Sequence, residues 1–166
     1  MSASDIRADV LVIGCGIAGA TAALEAAEAG LRVVVLTKEA RAEESNTYYA
    51  QGGIVSFAPD DRPDLLKEDV LEAGDHAGDP AAVDILVADG PRLVQETLID
   101  RLRIPFTRSS PDALDYALEA GHSRRRILHV ADATGRTIED RFLRALRRHP
   151  RVMLLAGRTA VDLLTV

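Results

Sequence analysis

Val10–Lys38 reads VLVIGCGIAGATAALEAAEAGLRVVVLTK and contains Gly14-Cys15-Gly16-Ile17-Ala18-Gly19, the G-x-G-x-x-G spacing of a dinucleotide site. The short apolar run Asp9–Ile13 before it reads as a fully buried parallel strand. From Ile17 the period becomes helical: Ile17, Leu24 and Leu31 recur every seven residues with Ala20 and Ala27 between them, and Gly30 is a natural stop. Arg32–Thr37 (RVVVLT) is β-branched and reads as a second buried strand. Together they make a βαβ unit of the roughly 30 residues a mononucleotide fold needs. In such a unit Gly14 permits the tight turn, Gly16 lets the backbone approach a pyrophosphate, and Gly19 lets helix and strand pack closely. Unpaired N–H groups at the helix start then face the phosphates. Cys15 reads as a small residue that fits the loop rather than as a reactive thiol.

The end of the unit leaves the nucleotide open. Where an acid usually holds the ribose, this sequence has Lys38, followed by Glu39. Three readings stay open: the lysine meets a 2′-phosphate, as in NADP enzymes, it donates to oxygens of another dinucleotide, or Glu39 supplies the missing acid.

Beyond Lys38, Glu39–Asn46 is polar and loop-like and leads into Thr47-Tyr48-Tyr49-Ala50-Gln51-Gly52-Gly53. Ile54–Phe57 predicts a short strand, and Asp64–His76 and Pro80–Leu102 predict helices. The second has Asp79 as N-cap, Pro80 in its first turn and a kink or break at Gly90-Pro91. Thr134–Arg148 predicts an amphipathic helix, with Ile138, Phe142, Ala145 and Leu146 on one face and Arg141, Arg144, Arg147 and Arg148 on the other. Val152–Leu155 predicts a third buried strand, and Thr159–Val166 the beginning of another. An ending inside an uncapped apolar strand predicts that residues 1–166 are a single, incomplete domain of a longer protein.

Composition narrows the class. The 166 residues are 47% apolar, enough for one domain with a core. Through Ala120 there are 10 basic against 22 acidic residues. From Gly121 on there are 10 against 4, every base an arginine. A basic segment in an acidic chain predicts a local anionic ligand. Arg124-Arg125-Arg126 comes without a nucleic-acid motif, and only 4% of residues are aromatic, so no nucleic-acid partner is expected. The run reads instead as charge compensation and a solvated face. No membrane partner, metal site or secretory leader is expected, and a cytoplasmic location is the default.

Two later motifs carry a resemblance. SNTYYAQGGI, Ser45 to Ile54, and EAGHSRRRILHVADATG, Glu119 to Gly135, are similar to the flavoprotein superfamily of succinate dehydrogenase and fumarate reductase, and most of all to its L-aspartate oxidase family. The resemblance runs from Ala8 to Val166. It implies a Rossmann-like α/β FAD-binding domain, a parallel sheet with flanking helices, ending before the rest of the flavin domain and the capping domain. It also implies FAD rather than NADP, with Lys38 matching a lysine the family uses at the end of the second strand.

The residues so implied for the cofactor are Gly14, Cys15, Gly16, Ile17, Ala18 and Gly19, then Lys38. Ser45, Asn46, Thr47, Tyr48, Tyr49, Ala50, Gln51, Gly52 and Gly53 follow, and last come Ala160 and Val161 at the adenine. The Gln51-Gly52-Gly53 turn would lie against the isoalloxazine. Asn46 stands where covalent members have a flavin-bonding histidine, which implies non-covalent FAD. Glu119 matches the glutamate that meets the substrate ammonium, although Ala120 replaces the first glycine of the family's G-G-H-S. The implied reaction is oxidation of L-aspartate to iminoaspartate in NAD biosynthesis. Oxygen or fumarate would be the electron acceptor, and quinolinate synthase the functional neighbour. No catalytic residue is expected within these 166 residues. Two alternatives stand beside it: a succinate dehydrogenase or fumarate reductase flavoprotein, and a bare nucleotide-binding module of a split protein.

Overall fold

Apolar runs far apart in sequence supply the strands of one parallel sheet. In the computed structural model, which describes residues 5–164, the elements run in chain order as follows. β1 (Val10–Ile13), α1 (Ile17–Glu28), β2 (Val33–Thr37) and the single turn α2 (Asn46–Tyr49) come first. β3 (Ile54–Val55), α3 (Pro63–Ala73) and α4 (Pro80–Leu93), with a π-helical continuation Val94–Arg101, form the middle. β4 (Arg108–Ser110), β5 (Ala113–Leu114), β6 (Tyr116–Ala117), β7 (Ile127–Leu128), α5 (Thr134–Arg148) and β8 (Val152–Ala156) complete the order. Two units separate: residues up to Tyr49 with those from Arg136 on, and Ala50–Gly135.

In the first unit the sheet order is β1-β2-β8, all parallel, with Val33 level with both Val10 and Val152. This is a Rossmann-like α/β arrangement. β2 is central and buried along nearly its whole length. β1 departs from the sequence reading. Instead of being buried on both faces it alternates, with Leu11 and Ile13 about half exposed. The reason is position: β1 is an edge strand, and its Val12 side points at α1, lying 3.2 Å from the site a Gly19 Cβ would occupy.

α1 buries Ala20, Ala23, Leu24 and Ala27, and these small side chains let the helix lie close to the strands. Leu31 falls outside that face, because the helix is capped at Ala29 and Gly30 turns the chain with a φ of +92°. The strand entries are tied together by Asp9. Its carboxylate accepts the Arg32 backbone N–H (2.8 Å), Nε (3.0 Å) and Nη2 (2.8 Å). Those bonds hold its carboxyl well below the usual carboxylate range. α5 buries Ile138, Phe142, Leu143 and Leu146, following its apolar period, and also Glu139.

The second unit is built around α3 and α4. Leu66, Val83 and Val87 form a core cluster on which Val55, Phe57, Val70 and Leu71 pack. Asp79 caps α4 as its sequence predicts, accepting the Ala81 N–H at 2.8 Å. At Gly90-Pro91, where a kink or break is expected, the helix does not end but changes type shortly after. Pro91 is buried inside α4, and the chain widens to π geometry from Val94. Proline lacks an N–H and crowds the preceding turn, so the helix absorbs the mismatch by loosening rather than ending. A small antiparallel sheet β3-β7-β6 and a β4-β5 hairpin complete the unit.

The strand predicted from Thr159 does not form among the described residues. Positions 159–164 are irregular, with Val161 93% and Leu164 91% exposed, because no neighbouring strand satisfies that backbone. Thr165 and Val166, the rest of that prediction, lie outside the described residues.

Candidate cofactor site

The turn from β1 into α1 is shaped by its glycines. Gly14 has a φ of +101°, which side chains rarely tolerate, and a Cβ there would meet nothing within 4 Å. A Cβ on Gly19 would sit 2.1 Å from the Gly14 carbonyl oxygen, so helix and turn meet backbone to backbone. A Cβ on Gly16 would lie 3.0 Å from Thr47 Oγ1. The two loops are hydrogen-bonded as well as packed, Ile17 N–H donating to Thr47 Oγ1 at 3.0 Å, and within the second loop Tyr48 N–H donates to Ser45 Oγ at 3.1 Å.

Between these loops and the ends of β2 and β8 opens a cavity of about 510 Å³. The open end of parallel strands is where α/β folds bind ligands. Of the residues implied by sequence, Gly14, Cys15, Gly16, Lys38, Ser45, Asn46, Thr47 and Ala160 line it. Glu44, Arg158 and Thr159 line it too, and the sequence reading did not name them. The charges present are Lys38, 3.7 Å from Glu39, and Arg158, whose Nη1 donates to the Gly157 carbonyl at 3.2 Å, against Glu44. Two cations beside the first turn of α1, whose N–H groups lack intrahelical acceptors, suit a diphosphate. The open space at Gly14 and the crowded one at Gly19 fit the same group. The described residues therefore fit a dinucleotide.

The other implied residues lie elsewhere. Ile17, Ala18 and Gly19 form the first turn of α1. Tyr48 and Tyr49 stack edge to face at 5.3 Å, with the Arg136 guanidinium 5.6 Å from the Tyr48 ring centre. The Tyr49 hydroxyl donates to Glu44, and that bond raises its pKa. The Ala50 carbonyl accepts the Gly135 N–H at 3.1 Å, Gln51 is exposed, and Val161 is nearly fully exposed.

Two buried features of the first unit had no sequence signal. Cys15 Sγ donates to the Ala42 carbonyl at 3.1 Å, and burial, first among its causes, pushes the thiol pKa up. Glu139 is fully buried and neither carboxyl oxygen has a hydrogen-bond partner among the described residues. Burial pushes its pKa up to about 7, the Ser45 hydroxyl opposes that, and Asp140 and Glu43 add to it. On an amphipathic helix a glutamate reads as solvent-facing, which is why it was missed.

In the second unit, Gly52-Gly53 meets Glu119. Glu119 Oε1 accepts the Gly53 N–H at 3.2 Å, and a Cβ on Gly52 would lie 3.6 Å from Oε2. Gly53 is needed on other grounds. A Cβ there would fall 2.2 Å from Ile127 Cγ2 and 2.4 Å from the Leu128 carbonyl oxygen.

The arginine run divides. Arg124 and Arg125 are exposed, as a solvated face requires, but Arg126 is 0% exposed and compensates carboxylates of the protein itself. Its Nε and Nη2 donate to Asp61 at 2.8 and 2.9 Å, and Nη1 to Asp69 at 2.6 Å. Only such pairing makes a buried guanidinium tolerable. Of the histidines that flank the run, His129 Nε2 is 3.2 Å from Asp115 Oδ2, while the buried Nδ1 of His122 has no partner among the described residues.

Comparison with known proteins agrees with this geometry. Residues 9–166 match the family model described as FAD binding domain. Over 157 residues the chain is 48% identical to the L-aspartate oxidase of Halobacterium salinarum, covering 95% of this chain and 30% of that protein. It is 40% identical over 158 residues to L-aspartate oxidase 2-a, chloroplastic, of Nicotiana tabacum, covering 95% and 24%. Among solved structures it is similar to the Sdh1 complex of Mycobacterium smegmatis in the apo form, at 26% identity and a TM-score of 0.78, covering 90% of this chain and 27% of that one. The chain thus spans under a third of the length of these relatives. Among the described residues no helix is long and apolar enough to cross a membrane. The chain belongs to the FAD-binding-domain family, homologous to the L-aspartate oxidases and to the flavoproteins of the succinate dehydrogenase and fumarate reductase superfamily.

Proposed function

We propose that this chain is the cofactor-holding part of an FAD-dependent L-aspartate oxidase, which converts L-aspartate to iminoaspartate. The observation that carries the reading is the Glu119 carboxylate at the Gly52-Gly53 turn, 3.2 Å from the Gly53 nitrogen. L-Aspartate is succinate with an added α-ammonium group. A carboxylate beside that group attracts it, whereas beside a dicarboxylate without an ammonium it only repels. The 48% identity to a protein of that name supports the same reading.

In the first unit, Gly14–Gly19 and the first turn of α1 would receive the pyrophosphate, with Lys38 and Arg158 offsetting its charge and Ser45–Thr47 bounding it. Ala160 and Val161 would approach the adenine. In the second unit, Gln51, Gly52 and Gly53 would offer backbone to the ring. Bound FAD supplies the acceptor for the hydride that leaves the substrate α-carbon. Asn46 carries an amide rather than an imidazole, so the cofactor would be held without a covalent bond.

The catalytic arginine and most substrate ligands would come from the part of such an enzyme that this chain does not span, so residues 1–166 alone should not turn over. Reoxidation by oxygen or fumarate, a place in NAD biosynthesis beside quinolinate synthase, and a cytoplasmic location belong to the same proposal.

The test is anaerobic mixing of the full-length, FAD-loaded protein with either acid. L-Aspartate should bleach the flavin absorbance and succinate should not, and Glu119→Gln should narrow that preference by about tenfold. Bleaching by succinate alone would overturn the reading.

A further inference from the structure

We infer that Asp69 and Arg126, acting through Ser123, are positioning residues for the Glu119 carboxylate. This rests on the role proposed above for Glu119 and adds what holds that carboxylate in place.

Glu119 is exposed at the start of a turn. Gly121 takes a φ of +81° there, and His122 N–H donates back to the Glu119 carbonyl at 3.2 Å. An exposed glutamate on such a turn has many rotamers and loses affinity for each one it visits. The far end of the turn, however, is fixed. Ser123 donates twice to Asp69 Oδ2, from its N–H at 2.8 Å and its hydroxyl at 3.0 Å. The same oxygen accepts Arg126 Nη1 at 2.6 Å, and Arg126 is clamped from the other side by both oxygens of Asp61. Burial acts to raise the Asp69 pKa, but the bonds from Ser123 and the Arg126 charge hold it below its ordinary value. Asp69 therefore stays an acceptor through the neutral range.

Arg126 also sets the other side of the Glu119–Gly53 contact. The residues after it, Ile127 and Leu128, form β7, which pairs with Ile54 and Val55 immediately after Gly53. The Arg126 carbonyl itself accepts the Ser56 N–H at 2.9 Å. The turn that carries the carboxylate and the strand that follows its hydrogen-bond donor thus both tie to Arg126, the turn through Asp69 and the guanidinium, the strand through the Arg126 carbonyl and β7.

The experiment is a double-mutant cycle in the full-length, FAD-loaded protein, reading aspartate-over-succinate preference, FAD affinity and Tm. Ser123→Ala keeps the backbone bond and should lower kcat/KM for aspartate about fivefold through KM, with FAD affinity unchanged. Asp69→Asn should lower it further, and if that variant fails to fold Ser123→Ala alone decides. Combined with Glu119→Gln, Ser123→Ala should cause no added loss of preference. Full additivity, or a change in Tm with preference intact, would overturn the positioning role. If Glu119→Gln itself leaves the preference intact, the aspartate reading fails and this inference with it. If Glu119→Gln removes the preference and the Ser123 and Asp69 variants do not, only the positioning role fails.

Discussion

The Thr47 hydroxyl accepts the backbone N–H of Ile17 at 3.0 Å and so caps the helix that follows the glycine turn. One threonine from a distant loop therefore satisfies one of the donors a helix start leaves open. Thr47→Val keeps the shape and removes the acceptor. The loss should be about 1 kcal/mol, or roughly 2–4 °C in Tm without cofactor. Thermal unfolding of the two proteins checks it, and an unchanged Tm would show that water caps Ile17 equally well.

Gly53→Ala should be more damaging than its size suggests. The new methyl would land 2.4 Å from a carbonyl oxygen that the β3-β7 ladder holds in place, so backbone must move. A cost of about 1–3 kcal/mol is expected from overpacking alone. Gly78→Ala is the matched control, because its Cβ would meet nothing within 4 Å. Denaturant titration of both variants should separate them, and equal midpoints would refute the close approach.

Glu139 predicts a pH dependence with a definite sign. Its folded pKa is about 7 against an ordinary 4.5. Below 4.5 both states hold the proton. Between 4.5 and 7 the folded state keeps it while the unfolded state loses it, so stability falls as pH rises through that window and levels off above it. The fall is on the order of 2 kcal/mol. Glu139→Gln cannot ionise, so its stability relative to wild type should rise between pH 5 and pH 8. Parallel stability curves for the two proteins would contradict it.

Much of this was readable in the residues, and the failures have physical causes. The βαβ unit was legible because β-branched runs, an alanine face and spaced glycines are local signals, and α5 because its apolar period is unbroken over Thr134–Arg148. The two- and three-residue strands β4 to β7 were not, since no period can be counted over so short a span. Gly90-Pro91 was read as a kink or break because sequence rules count the lost hydrogen bond and not the burial of the ring.

In the site, the turn residues Gly14 and Gly16 announce themselves, and the lining of the cavity by Ser45–Thr47 followed from the resemblance. Arg158 could not be seen, because nothing local marks the end of β8 as facing β2. Arg126 looks identical to Arg124 and Arg125 in sequence. Only the arrival of Asp61 and Asp69 from far along the chain distinguishes it.

The sheet order β1-β2-β8 has a consequence for how the protein is made. β2 finds its second neighbour only after the whole of Ala50–Gly135 has been synthesised, so the nucleotide cradle is a late-assembling, non-local structure. A nascent chain halted before Val152 would display β2 with one flank bare, and Arg158 and Ala160 would not yet exist to close the pocket mouth. Coenzyme capture should thus wait until the third parallel strand has emerged from the ribosome.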